Sequence, residues 1–176
     1  MISTAADIKK MIRDIPNFPK PGILFKDITP ILKDPESFRF TVDFLGREFE
    51  NAGPVDYVVG IESRGFIMSP VLAYKLNAGF IPVRKKGKLP FTTHQESYTL
   101  EYGEAVLEIH QDALAQGSRV VIVDDLLATG GTALAAARLV EKLGGKVVKL
   151  AFIVELLFLA GRKKLSGYDI FSLVQY

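Results

Sequence analysis

The sequence predicts an α/β domain built on a central, mainly parallel β-sheet flanked by helices. Three observations lead there. Residues 57–61, 119–123 and 147–154 are short, nearly unbroken apolar runs rich in Val and Ile, the pattern of strands covered on both faces. Helix-length stretches alternate with them, after Asp34-Pro35, to about Leu76 and at about 132–143, and such alternation is the mark of strand–helix–strand units. The chain's 176 residues, 48% hydrophobic and 24% charged, suit one folded domain of ordinary size.

The elements follow in order. A short amphipathic helix comes first, with Ile8, Met11, Ile12 and Ile15 on one face and Pro16 ending it. Pro16, Pro19, Pro21 and Pro30 then crowd a stretch that cannot be a regular helix or a central strand. Its Phe18, Ile23, Leu24 and Phe25 still need cover, so residues 1–34 are expected to form an ordered arm, or hood, over a core domain of residues 35–176. Asp34-Pro35 offers an N-cap and a first-turn proline, and Phe38, Val42, Leu45 and Phe49 continue a helical stripe. A strand at 57–61, a turn at 62–65, a helix, an exit at Gly79 and a strand at 80–83 come next.

Residues 84–99 differ in kind. They carry Arg84, Lys85, Lys86 and Lys88, show no helical stripe and are punctuated by Gly87 and Pro90. A basic loop or mobile hairpin, able to act as a lid, fits them better than a packed element. Residues 105–109 alternate apolar with charged side chains, as a half-exposed strand does. Beyond the strand at 119–123 lie a loop, a helix stopped by Gly144-Gly145, a strand at 147–154, a short helix near Leu165 and a last strand at 170–174.

Composition narrows the chemistry. Lys and Arg number 22 against 20 Asp and Glu, a net charge of +2, so a polycation that coats nucleic acid is not expected. The absence of Cys excludes disulfides, thiolate nucleophiles and cysteine-held metals. Only His94 and His110 could supply imidazole, and neither falls in a motif, so the chemistry must rest on other side chains. The best apolar run, 151–160, is interrupted by Glu155 and is far shorter than the ~20 residues a membrane span needs. No membrane partner is expected, and a cytoplasmic protein is the simplest default.

The sharpest signal is VVIVDDLLATGGT, residues 120–132. A buried strand delivers Asp124 and Asp125 to its carboxyl edge, where ligands of open α/β sheets bind. Then Thr129, Gly130, Gly131 and Thr132 open a helix. Glycines let backbone N–H groups approach an anion, and the helix adds free amides and the positive end of its dipole. Ala128 is small enough to leave room beside them. Carboxylates prefer sugar hydroxyls, or a magnesium ion shared with them, to a phosphate. The combined reading is a sugar phosphate, its phosphate in the TGGT loop and its ribose diol on the aspartates. The alternative is a plain strand end and helix cap. No Gly-Lys-Ser/Thr follows the glycines, which excludes a nucleoside triphosphate P-loop.

With this segment the chain resembles the type I phosphoribosyltransferases and, within them, the adenine phosphoribosyltransferases. The likeness spans nearly the whole chain. It includes the arm FPKPGILFKDITPIL, the turn ESRGF at 62–66, RKKGKLP at 84–90, LEYG at 100–103 and the ending FSLVQY. Lys26 departs from the Arg that relatives often carry. The resemblance implies the type I fold and the reaction adenine + phosphoribosyl pyrophosphate → AMP + pyrophosphate, with Mg2+ as cofactor held through substrate near Asp124 and Asp125 rather than by the protein alone. It also implies a homodimer.

Site roles follow from the same likeness. Arg64 is placed to reach pyrophosphate, whose charge its fork geometry suits. Glu62, Ser63, Lys85 and Lys88 join it, and Arg84 is similar to a residue that reaches the partner's pyrophosphate site. The Glu62-Ser63 peptide is cis in the family, while an ordinary trans turn stays open for this sequence. Glu101 resembles the catalytic acid/base and closes over the base with Tyr102. Phe25 is expected to stack on adenine, with the backbones of Leu24 and Lys26 meeting its N6 and N1 edge and Ala128 beside it. Two other readings stay open: a phosphoribosyltransferase for another base, and a non-catalytic nucleotide-binding regulator on the same fold.

Overall fold

The computed structural model describes residues 2–50, 52–99 and 104–176. The first helix, α1 (Ala5–Met11), starts from a reciprocal cap: Asp7 N–H donates to Thr4 Oγ1, and Thr4 N–H donates to Asp7 Oδ2. It is shorter than the apolar stripe suggested. Ile12 is already extended, and Ile15 belongs to a strand, β1 (Arg13–Pro16), paired antiparallel with β2 (Leu24–Asp27). Pro16 is tolerated because this two-stranded ribbon stands apart from the main sheet. The stripe still reports burial, since Ile8 and Ile12 reach the core from either side of the break.

The proline-rich arm also holds one regular turn of helix, α2 (Thr29–Lys33), with Pro30 where its missing N–H costs nothing. Asp34 then caps α3 (Pro35–Glu50), its Oδ2 accepting from Ser37 N–H at 2.7 Å. The core follows as β3 (Tyr57–Ile61), α4 (Gly65–Lys75), β4 (Gly79–Lys85), β5 (Thr93–Thr99), β6 (Glu104–His110), β7 (Arg119–Leu127), α5 (Gly131–Lys142), β8 (Lys146–Glu155) and β9 (Ile170–Gln175). Two 3₁₀ turns, Leu157–Leu159 and Gly161–Lys163, stand where a short helix near Leu165 was expected.

Seven of these strands form one sheet in the order β5-β6-β4-β3-β7-β8-β9. β4, β3, β7, β8 and β9 run parallel, and β5 and β6 add an antiparallel edge. β7 shows why the central runs are continuously apolar. Val121 and Val123 face the core shared with α1, α3 and α4, while Val120 and Ile122 face the core shared with α5. The fold is thus the α/β arrangement expected, with a mixed rather than wholly parallel sheet.

Of the loop and the hairpin left open for residues 84–99, the structure is nearer the hairpin: residues 93–99 are an edge strand, paired antiparallel with β6 from Thr93↔His110 to Thr99↔Glu104. An edge strand can be held by its backbone ladder and so need not show an apolar pattern. The Gln95 amide adds a 3.0 Å bond to Glu108 Oε1. The irregular part of the basic segment shrinks to residues 86–92, around Gly87 at φ 79°. Among the described residues no helix is long and apolar enough to cross a membrane.

Candidate active site

The ladder between β3 and β7 ends at Gly60↔Val123, whereas β7 continues against β8 as far as Leu127↔Glu155. Past Val123 the two central strands part, and Asp124 and Asp125 stand at the split. A cleft of about 430 Å³ opens there, lined by Glu62, Ser63, Arg64, Lys85, Tyr98 and residues 124–133. This is the carboxyl end of the parallel sheet, where such folds bind ligands.

The two carboxylates are close and poorly solvated. Asp125 is 5% exposed, and its N–H donates to Asp124 Oδ1 at 2.9 Å. Burial pushes the Asp124 carboxyl well above its ordinary range, and the charge of Asp125 pushes it further, against a smaller opposing pull from Arg64. Burial also raises Asp125, with Arg64 opposing it. Arg64 Nε lies 2.7 Å from Asp125 Oδ2, yet that oxygen receives no well-formed hydrogen bond. It has a charge nearby but no donor aimed at it. A buried acceptor in that state favours a ligand that brings hydroxyl donors.

Residues 128–132 open a helix as their sequence suggests. Gly130, at φ 80°, is the N-cap of α5 and makes no side-chain cap, so the first amides of the helix are left for another partner. The opposite wall is the turn after β3. Its Glu62-Ser63 peptide is cis. Gly65 lets this turn close onto β7, since a Cβ there would lie 2.9 Å from the Val123 carbonyl oxygen and 3.1 Å from Asp124 Oδ1.

Glu62 is turned to its own chain. Its carboxylate contacts Arg84 at 3.2 Å and accepts from Lys85 N–H at 3.1 Å. Burial pushes its carboxyl up, but those two partners and nearby Lys88 outweigh it and hold it below the ordinary range. Arg84 also donates to the Lys88 carbonyl at 2.8 Å.

The structure therefore gathers Glu62, Ser63, Arg64, Lys85, Asp124, Asp125, Ala128, Thr129, Gly130, Gly131 and Thr132 around one cleft. It does not bring every expected residue to the wall. Lys88 is exposed in the 86–92 turn, and Arg84 is engaged by Glu62. Of the arm, Phe25 approaches through Arg64, whose guanidinium lies 4.9 Å from the ring centre. The Lys26 side chain points elsewhere, to Asp14 at 2.6 Å. Glu101 and Tyr102 lie outside the described residues.

Sequence reasoning left three participants unassigned. Tyr98 lines the cleft from β5, a strand whose pattern concealed it. Gly161 backs the 128–132 loop: a Cβ on Gly130 would lie 2.5 Å from the Gly161 carbonyl oxygen, so the two backbones interlock. Arg162, the next residue, grips buried Glu155 with bonds of 2.7 and 2.8 Å and donates to the Ile170 carbonyl at 3.1 Å. The only hint in the sequence was Glu155 interrupting an apolar run.

Known proteins share this arrangement. Residues 29–173 match the phosphoribosyl transferase domain family. An adenine phosphoribosyltransferase from Nostoc punctiforme is 58% identical over 171 residues, covering 97% of this chain and 99% of that protein. The crystal structure of the adenine phosphoribosyltransferase from Thermoanaerobacter pseudethanolicus superposes with a TM-score of 0.94 at 56% identity, covering 98% of this chain and 100% of the other. The Saccharomyces cerevisiae adenine phosphoribosyltransferase, solved with an imino-altritol bisphosphate and adenine, superposes with a TM-score of 0.92 at 45% identity over 96% and 97% of the two chains. Near-complete coverage in sequence and in fold, added to a cleft of this construction, makes the chain a member of the adenine phosphoribosyltransferase family.

Proposed function

We propose that this cleft transfers the phosphoribosyl group of phosphoribosyl pyrophosphate to N9 of adenine, giving AMP and pyrophosphate, with each wall serving one part of the substrate. The observation that carries the reading is the meeting of half-buried Asp124 and buried Asp125 with the 128–132 loop and Arg64 in one cleft. The yeast relative was solved with adenine together with a bisphosphate bearing a sugar-like ring, a pairing this cleft suits.

The 5-phosphate takes the loop of Ala128, Thr129, Gly130, Gly131 and Thr132, whose amides and hydroxyls donate to its oxygens. Asp124 and Asp125 accept the ribose hydroxyls, which supplies the donor that Asp125 Oδ2 lacks. Breaking the C1–O bond leaves positive charge on the ribose ring and negative charge on pyrophosphate, so cationic groups must face the leaving group. Arg64 and Lys85 stand at the cleft for this, beside the turn at Glu62 and Ser63, and Lys88 joins them from the 86–92 turn. Mg2+ fits the same place, because two carboxylates that burial makes reluctant to ionise gain from a nearby cation. Carried on substrate oxygens beside Asp124 and Asp125, the ion would neutralise part of the pyrophosphate charge.

Residues 1–34 are the base-reading arm. Phe25 offers a stacking face, and the backbones of Leu24 and Lys26 meet N6 and N1, with Ala128 leaving space for the ring. Glu101 handles the purine proton and Tyr102 closes beside it. Residues 84–99 form the lid side of the cleft, with 86–92 as the part free of regular pairing.

A second copy of the chain completes the reading. Ile67, Val71 and Tyr74 recur at helical spacing on α4, and with Phe80 they present an exposed apolar stripe, Tyr74 being 90% exposed. A partner covering it would bring its own Arg84 near a neighbouring pyrophosphate site. Cytoplasmic placement suits a reaction whose phosphoribosyl pyrophosphate and AMP are phosphate esters, which do not pass membranes unaided.

The test is a base-preference assay with phosphoribosyl pyrophosphate and Mg2+. Adenine donates at N6 and accepts at N1, and a 6-oxopurine reverses both, so adenine should be preferred over hypoxanthine by at least ~100-fold. Comparable rates with the two bases would refute the arm's role.

A further inference from the structure

The ending of the chain, FSLVQY, takes no part in the site described above, yet its tyrosine touches the arm. Lys26 is only 7% exposed, which a lysine tolerates only with partners. It has two. Its Nζ lies 2.6 Å from Asp14 Oδ1, directly across the β1–β2 ladder, and 3.7 Å from the centre of the Tyr176 ring. Alternation along β2 puts the Lys26 side chain on one face and Phe25 on the other, toward Arg64. The strand thus has an anchored face and a cleft face.

Tyr176 is itself held firmly to the core. Its N–H donates to the Glu155 carbonyl at 3.0 Å, and its carbonyl accepts from Leu157 N–H at 2.9 Å. Its hydroxyl donates to the Lys9 carbonyl at 3.3 Å, and Lys9 Nζ lies 4.4 Å from the ring on its own account. The β1–β2 ribbon, a two-stranded sheet detached from the main one, is seated at this end by buried Ile12 and Ile28, and the Tyr176–Lys26 contact adds a side-chain tie beside them.

We infer that Tyr176 is a positioning residue for adenine, gripping the Lys26 side chain so that the backbone of residues 24–26 is held in register with the base. The inference rests on the proposal that this backbone reads adenine. What the grip requires is a cation over the ring rather than a particular side chain, so an arginine at this position should serve as well as the lysine.

The test is steady-state kinetics of the full chain with Tyr176→Leu, Tyr176→Phe, Lys26→Met and Lys26→Arg, with Phe25→Ala as reference. Tyr176→Leu and Lys26→Met should each raise KM for adenine about tenfold, in line with a desolvated cation–ring contact. Both should also narrow the preference for adenine over hypoxanthine, with KM for phosphoribosyl pyrophosphate within about twofold of the parent. Tyr176→Phe and Lys26→Arg keep ring and cation and should restore the adenine KM. If Phe25→Ala raises KM for adenine while Tyr176→Leu and Lys26→Met do not, the grip is refuted and the arm reading stands. If Phe25→Ala also leaves it unchanged, the arm reading itself has failed. Equal rises in KM for both substrates, or a failure of Lys26→Arg to rescue, would mark a merely structural contact and overturn the inference.

Discussion

Arg64 joins the two halves of the cleft: its Nε sits 2.7 Å from Asp125 Oδ2 while its guanidinium lies 4.9 Å from the Phe25 ring. One cation thus touches the carboxylate assigned to ribose and the ring assigned to adenine. Both contacts keep the guanidinium at the cleft wall, beside the place proposed for pyrophosphate.

Arg64→Lys tests the fork rather than the charge. A lysine keeps one positive charge but cannot make paired contacts with a phosphate. The loss of a charge-assisted hydrogen bond, worth about 1.5–3 kcal/mol, corresponds to a fall of about 10- to 150-fold in kcat/KM for phosphoribosyl pyrophosphate. Kinetics indistinguishable from the parent would remove Arg64 from the leaving-group site.

The aspartate pair sets a pH signature. Asp124 and Asp125 titrate above the ordinary range in the folded chain and return to about 3.9 when it unfolds. Between those values the folded state binds more protons, so the stability this pair contributes falls as pH rises through the window. Asp124→Asn removes one charge and can keep the contact with Asp125 N–H. Without substrate, its Tm should exceed the parent's by a margin that grows with pH and then levels, while phosphoribosyl pyrophosphate binding weakens. A Tm difference that does not vary with pH would show that the carboxylates ionise normally in the fold.

Gly161→Ala probes the backing of the phosphate loop. The added Cβ would lie 2.9 Å from Leu127 Cδ1 and 3.1 Å from Gly130 N, and the backbone of the loop has no slack to offer. Crowding of this kind costs about 1–3 kcal/mol. KM for phosphoribosyl pyrophosphate should rise by tenfold or more, with KM for adenine much less affected. An unchanged phosphoribosyl pyrophosphate KM would mean that Gly161 does not shape the loop.

Glu101→Gln isolates proton transfer. The amide keeps size and much of the hydrogen bonding but cannot carry the proton. Single-turnover rates should fall by about 10²–10⁴-fold, with phosphoribosyl pyrophosphate affinity nearly intact. Parent-like single-turnover chemistry across pH would shift the catalytic load to pyrophosphate stabilisation.

Much of this was legible in the chain itself. The central strands announced their burial because both faces are covered, which leaves unbroken runs such as residues 120–123. The candidate site announced itself because strand, carboxylates, glycines and helix start lie within thirteen consecutive residues, and the end of β7 and the start of α5 then line one cleft. β5 was not legible, since THQESYT is held to β6 chiefly by its backbone ladder, which leaves little side-chain pattern. The first helix was read too long because Ile15 keeps the helical spacing although the chain has turned extended at Ile12.

By itself, then, the sequence determined the α/β class, the glycine loop that opens a helix just after a carboxylate pair, and the family resemblance, all of which rest on residues near one another in the chain. Only the tertiary structure decided that Gly161 interlocks with Gly130, that Arg64 spans Phe25 and Asp125, and that Tyr176 lies under Lys26. These contacts join residues separated by as many as 150 positions, Lys26 to Tyr176. Local spacing carries no record of such pairs, because they exist only once the sheet has set which strand ends and loops share a side.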